Sequence, residues 1–74
     1  MNIEKIRKEL ENKKGHQLNF KFNGSRNQIE NFSGTIENTY NYVFLVKVNN
    51  DAEQIRSFSY TDVLTDSLEI FIDK

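Results

Sequence analysis

The chain contains no cysteine. Disulfides and thiolate metal sites are therefore excluded, and the cysteine-free composition fits a reducing compartment. No stretch approaches the roughly 18 consecutive apolar residues that a membrane span needs. The longest apolar run is Tyr42-Val43-Phe44-Leu45-Val46, which is strand length. Met1 to Leu10 carries charges throughout, without the apolar segment of a signal peptide. The expectation is a soluble cytoplasmic protein with no membrane partner. Catalytic constellations are equally scarce. One histidine, His16, follows directly after Gly15, where it reads as a solvated residue at a helix end. No second histidine is present to build a triad. Asp62 and Asp66 sit at helical spacing and read as first-turn and capping charges. No further ligands at metal-binding spacing accompany them. Asn23-Gly24-Ser25-Arg26 leads into a strand, whereas a phosphate loop leads into a helix. The residues thus point away from an enzyme and imply no cofactor.

With 74 residues the chain is read as one domain, residues 1–74. A domain this short buries only about 60–65% of its unfolded surface, so it needs efficient packing or self-association. The net charge of −1 conceals an asymmetry. Residues 1–28 hold seven basic and three acidic residues, and residues 29–74 hold three basic and eight acidic. Such a division suits a nucleic-acid face or an electrostatic docking face. The ten asparagines are scattered and form no low-complexity tract.

The N-terminal segment, residues 1–15, reads as a helix. Asn2 is a suitable N-cap, and Ile3, Ile6 and Leu10 give an apolar stripe at i, i+3, i+7. Glu4 with Lys8 and Glu9 with Lys13 are i, i+4 pairs, and Gly15 is placed at C′. Residues 16–74 then switch to a period of two. Leu18, Phe20 and Phe22 alternate with polar residues, and Asn23-Gly24 marks a turn. Phe32, Gly34 and Ile36 share a face of the second strand, with Gly34 suggesting a bend or bulge. Asn38 to Asn41 turns the chain. Tyr42 to Val48 is apolar on both faces, so its outer face calls for cover by the helix. A fourth strand spans about Gln54 to Ser59. A single helical turn follows, capped by Thr61 with Val63 and Leu64 inward, and a last strand places Leu68, Ile70 and Ile72 inward. Helix, four meandering strands, one helical turn and a fifth strand is the order of an SH3-like (Sm-like) barrel, a mainly β fold that closes off its edges, and a helix lying on an open antiparallel sheet is the alternative.

Two groups of side chains stand out. Lys5, Lys8, Lys13, Lys14, Lys21 and Arg26, with His16, form a basic set that a helix and first hairpin can bring together against phosphate. Tyr40, Tyr42 and Tyr60 lie near strand ends, where tyrosines stack on bases or prolines, or cover a barrel mouth.

The sequence resembles the Veg family, small bacterial proteins described as biofilm formation stimulators. Ser59-Tyr60-Thr61-Asp62-Val63-Leu64-Thr65 is similar to the family's serine-tyrosine-x-aspartate-x-leucine-threonine signature. Thr39-Tyr40 through Val43-Phe44 and Val46 matches its turn into the central strand. Asn23-Gly24 and Arg26 align with its glycine-arginine hairpin, and Gly34 with its second-strand glycine. The family usually has a second glycine and further basic residues in the hairpin, where this chain has Ser25, Asn27 and Gln28. That departure implies weaker contact with phosphate or an acidic partner. The resemblance implies an SH3-like barrel, no catalytic residues, and regulation of gene expression through contact with a transcription regulator. A nucleic-acid-binding module using the basic helix and hairpin is the alternative, and a homodimer is a further expectation. Arg26, on an exposed turn, is the leading binding residue, followed by Lys21, Lys14, Tyr40 and Tyr60. Gly24, Gly34 and Asp62 are assigned structural roles.

Overall fold

The computed structural model describes residues 2–24 and 28–72. The elements run α1 (Ile3–Asn12), β1 (Gln17–Asn23), β2 (Ile29–Thr39), β3 (Val43–Val48), β4 (Ile55–Ser59), α2 (Tyr60–Leu64) and β5 (Leu68–Ile72). All neighbouring strands are antiparallel, in the order β4-β3-β2-β1-β5. The fold is mainly β, with the expected N-terminal helix and a short helix before the last strand.

The sheet curls strongly. β1 and β4 are separated by two strands, which in a flat sheet at about 4.8 Å per step would hold them roughly 14 Å apart. Yet the rings of Phe22 in β1 and Phe58 in β4 have centroids 5.3 Å apart. The alternating residues Leu18, Phe20, Ile36, Phe44, Val46, Phe58 and Leu68 meet inside the curl and form one core. Ile6 and Leu10 of α1 close that core, together with Tyr60 of α2.

α1 begins as expected, with the Asn2 side chain accepting from the Lys5 N–H at 2.8 Å. Its end comes earlier than residue 15. The last helical residue is Asn12, Lys13 is the cap, and Gly15 takes the left-handed conformation (φ 85°) two residues beyond it. The intrahelical ion pairs also differ. Arg7 bridges Glu4 and Glu11, because its forked guanidinium spans both carboxylates. Nor does α1 cover the outer face of β3. It packs against α2 and β2 at the rim of the core, and on that outer face Leu45 is half-buried between Asn38 and Ser57 of the adjacent strands.

Gly34 has a different purpose from a bulge. The register shift in β2 lies between Ile36 and Asn38. At Gly34 β2 lies close against β3: a Cβ there would collide with the Lys47 carbonyl oxygen and lie 3.2 Å from Val46 Cγ1.

α2 starts two residues before the expected cap. Ser59 is the N-cap. Its Oγ accepts from the Asp62 N–H at 3.3 Å, while the Asp62 carboxylate accepts from the Ser59 N–H at 3.2 Å, a reciprocal capping box. Starting at Tyr60 rotates the turn, so that Tyr60 and Val63 face inward and Leu64 points to solvent. Ile72, at the end of β5 opposite Leu18, is exposed as well. Among the described residues no helix is long and apolar enough to cross a membrane.

Candidate functional site

The turn joining β2 to β3 is the most elaborately held surface feature. Residues 40–42 carry two exposed tyrosines, Tyr40 at 49% and Tyr42 at 78% of full exposure. The Tyr40 N–H donates to the Val43 carbonyl at 2.9 Å, which closes the turn. Tyr60 supports it from below. Its ring is fully buried and stacks on Phe44, with centroids 5.5 Å apart. Its hydroxyl donates to the Tyr40 carbonyl at 2.5 Å, and its N–H donates to the Tyr42 carbonyl at 3.2 Å. α1 adds a brace on the preceding residues. Thr39 Oγ1 donates to Glu11 at 3.2 Å, and Lys14 Nζ donates to Asn38 Oδ1 at 3.2 Å.

The local sequence accounts for this arrangement. The capping box at Ser59 and Asp62 fixes the first turn of α2, and this aims the Tyr60 ring into the core directly after β4. Ser59 pairs with Val43 in the β3–β4 ladder, so Tyr60 lies beside the 40–42 turn. Burial pushes the Tyr60 phenol above its ordinary pKa. Only the protonated phenol can donate to the Tyr40 carbonyl, so the bond is present throughout the neutral range.

This geometry sorts the expected binding residues. Tyr40 is exposed and stays a candidate. Tyr60 is fully buried and props the turn from beneath, because its position at N1 of α2 points the ring inward. Lys14 and Lys21 do not form one phosphate-facing patch. Lys14 is drawn to Asn38 on β2 and Lys21 to Glu69 on β5, at 4.0 Å, and those strands lie on opposite sides of β1. Arg26, with Ser25 and Asn27, lies outside the described residues. Gly24 closes the near side of that hairpin, its N–H donating to the Gln28 carbonyl at 2.7 Å. Asp62 is structural through the capping box, as expected. Among the described residues no group of three or more metal-ligating side chains converges.

Tyr42 was grouped with Tyr40 and Tyr60 from the sequence but not placed among the leading binding residues, and Arg56 was not singled out at all. Tyr42 is the more exposed of the turn's tyrosines. Its place beside the polar run Asn38 to Asn41 was the available signal. Arg56 of β4 lies over three rings, its guanidinium carbon 5.7 Å from the Phe22 centroid, 5.1 Å from Phe32 and 5.0 Å from Phe58. It also donates to both Glu30 oxygens, at 2.9 and 3.5 Å. It thereby closes the aromatic mouth of the barrel and ties β4 to the base of the first hairpin. The signal was an arginine two residues from Phe58 and hence on the same, inward strand face.

The two segments that meet at the tyrosine turn, residues 39–46 and 59–65, are among those that resemble the Veg family, with Asn23-Gly24, Arg26 and Gly34. No curated protein sequence matches the chain. A family model described as biofilm formation stimulator VEG matches residues 1–71 of the 74, and the chain accordingly belongs to the Veg family of biofilm formation stimulators.

Proposed function

We propose that the chain promotes biofilm formation as a non-enzymatic interaction module, contacting a regulatory protein of gene expression through the turn at Tyr40 and Tyr42. The observation that carries this reading is the support given to the turn. Two large side chains are held in solvent by backbone bonds to a buried tyrosine, so little conformational entropy is lost when a partner covers them. Tyrosine suits the task because its ring supplies apolar area and its hydroxyl a polar handle.

The alternative, nucleic-acid binding through the basic helix and first hairpin, has less support. Lys14 and Lys21 are each engaged with a neighbouring strand, and Glu69 partly neutralises Lys21.

The test is affinity purification of the tagged full chain from its own cells, comparing wild type, Tyr42→Ala and Arg26→Ala. A stoichiometric protein partner retained by wild type and Arg26→Ala but lost with Tyr42→Ala is the expected result. Salt-sensitive binding of the purified chain to RNA or DNA, abolished by Arg26→Ala and untouched by Tyr42→Ala, would overturn the reading in favour of nucleic acid.

A further inference from the structure

The two edges of the sheet are finished differently. β4 carries Arg56, Ser57 and Ser59, with Arg56 folded inward onto Glu30, and it runs directly into α2. Charged and polar residues of this kind blunt an edge. β5 is Leu-Glu-Ile-Phe-Ile. Its only charge, Glu69, leans back toward Lys21 on β1. Phe71 is 50% and Ile72 65% exposed. Among the described residues no strand pairs with the second edge of β5. α1 does not fully cover it either: a groove of about 300 Å³ between them is lined by Glu9 and Lys13 of the helix and by Glu69 and Phe71 of the strand.

We propose that the occupant of this edge is a second copy of the chain, paired antiparallel through β5 about a twofold axis at Ile70. The self-complementarity of β5 favours this occupant. With Ile70 opposite its own counterpart, Leu68 faces Ile72 and Glu69 faces Phe71 of the other copy. No carboxylate then opposes a carboxylate, whereas an axis at Glu69 would set the two glutamates against each other. A twofold axis also closes the assembly at two copies, while pairing β5 with the polar β4 of another copy would leave a free edge at each end. The available area is compatible with this. One copy exposes 5117 Å² in all, and a tenth of that from each partner gives about 1,000 Å², at the lower limit for a specific interface. The dimer is therefore expected to be weak, with half-association at tens of micromolar. This surface is separate from the tyrosine turn, and its test does not depend on the proposed regulatory contact.

The experiment is sedimentation velocity of the purified full chain from about 5 to 500 μM, with wild type, Phe71→Glu, Phe71→Lys and Ile55→Lys. Circular dichroism confirms that each is folded. Both Phe71 variants remove the same ring, but only glutamate meets Glu69 of the other copy as a like charge, and it does so twice by symmetry. Wild type should form dimers, Ile55→Lys on β4 should match it, and Phe71→Glu should dissociate at least about tenfold more readily than Phe71→Lys. That difference should shrink at high salt. A wild type that stays monomeric at 500 μM overturns the proposal. So does association broken by Ile55→Lys, association that continues past the dimer, or equal weakening by the two Phe71 variants.

Discussion

Replacing Tyr60 with phenylalanine removes one oxygen atom and leaves the buried ring on Phe44. What is lost is the hydrogen bond to the Tyr40 carbonyl. A bond of this type contributes about 1 kcal/mol net, and since the 40–42 turn is partly exposed, water can reach the carbonyl left behind, which keeps the cost near that value. For a domain of this size about 1 kcal/mol lowers the melting temperature by roughly 4–8 °C. The effect should also be local. Hydrogen exchange at the Tyr40 amide, which closes the turn onto Val43, should accelerate, while amides of the β1–β2 ladder keep the protection that global stability allows. A pH dependence follows with a definite sign. The folded-state phenol titrates above its ordinary value, so wild type keeps this contribution below the unfolded pKa of about 10 and loses it as pH rises through the folded value. The stability advantage of wild type over Tyr60→Phe should therefore be constant from neutral pH to about pH 10 and shrink above it. Thermal denaturation across pH, combined with residue-resolved exchange, measures all three effects. A Tyr60→Phe protein with unchanged melting temperature and unchanged exchange at Tyr40 would refute the idea that Tyr60 props the turn.

The remaining substitutions test the supports around the site. Gly34→Ala drives a methyl group against the Lys47 carbonyl and should destabilise by about 1–3 kcal/mol through displacement of β3, read as a lowered urea midpoint. An unchanged midpoint would show that the strands separate freely there. Asp62→Ala breaks the capping box and should cost about 0.5–2 kcal/mol, the usual range for a lost cap; an unaltered melting curve rules out its bracing role. Arg56→Ala uncovers Phe22, Phe32 and Phe58 and should cost about 1–2 kcal/mol, with increased binding of a hydrophobic dye as the marker of the opened mouth. Retained stability without dye binding would mean that the rings close over the gap themselves.

The order of elements was legible because the hydrophobic period changes cleanly at Gln17, from three and four to two, and turn residues at Asn23-Gly24, Asn38 to Asn41 and Asn49 to Asp51 separate the first four strands. What stayed hidden depended on contacts distant in sequence. The cap of α2 looked like Thr61, since threonine is a good cap, but Ser59 wins because Asp62 stands at N3 to reciprocate. That two-residue shift decided the fate of Tyr60 and Leu64, turning one inward and the other out. Gly34 was correctly marked as structural, yet its reason, the approach of the Lys47 carbonyl, requires knowing how tightly β2 and β3 coil together. The basic residues looked like one set because they share the first 28 positions; the topology sends Lys14 and Lys21 to different strands. Arg56 and Glu30, 26 residues apart, meet only because the sheet curls, and no local pattern predicts that pairing.

The claim that the Tyr40–Tyr42 turn is the working surface is tested most directly in cells that lack the chain and are complemented with wild type or Tyr42→Ala at equal protein levels, with biofilm biomass as the readout. Tyr42 is 78% exposed, so its replacement should leave the melting temperature within about 2–4 °C of wild type. Loss of biofilm stimulation by this stable variant is the predicted result. Full stimulation by Tyr42→Ala, with Tyr40→Ala equally active, would contradict the claim and move the working surface elsewhere on the barrel.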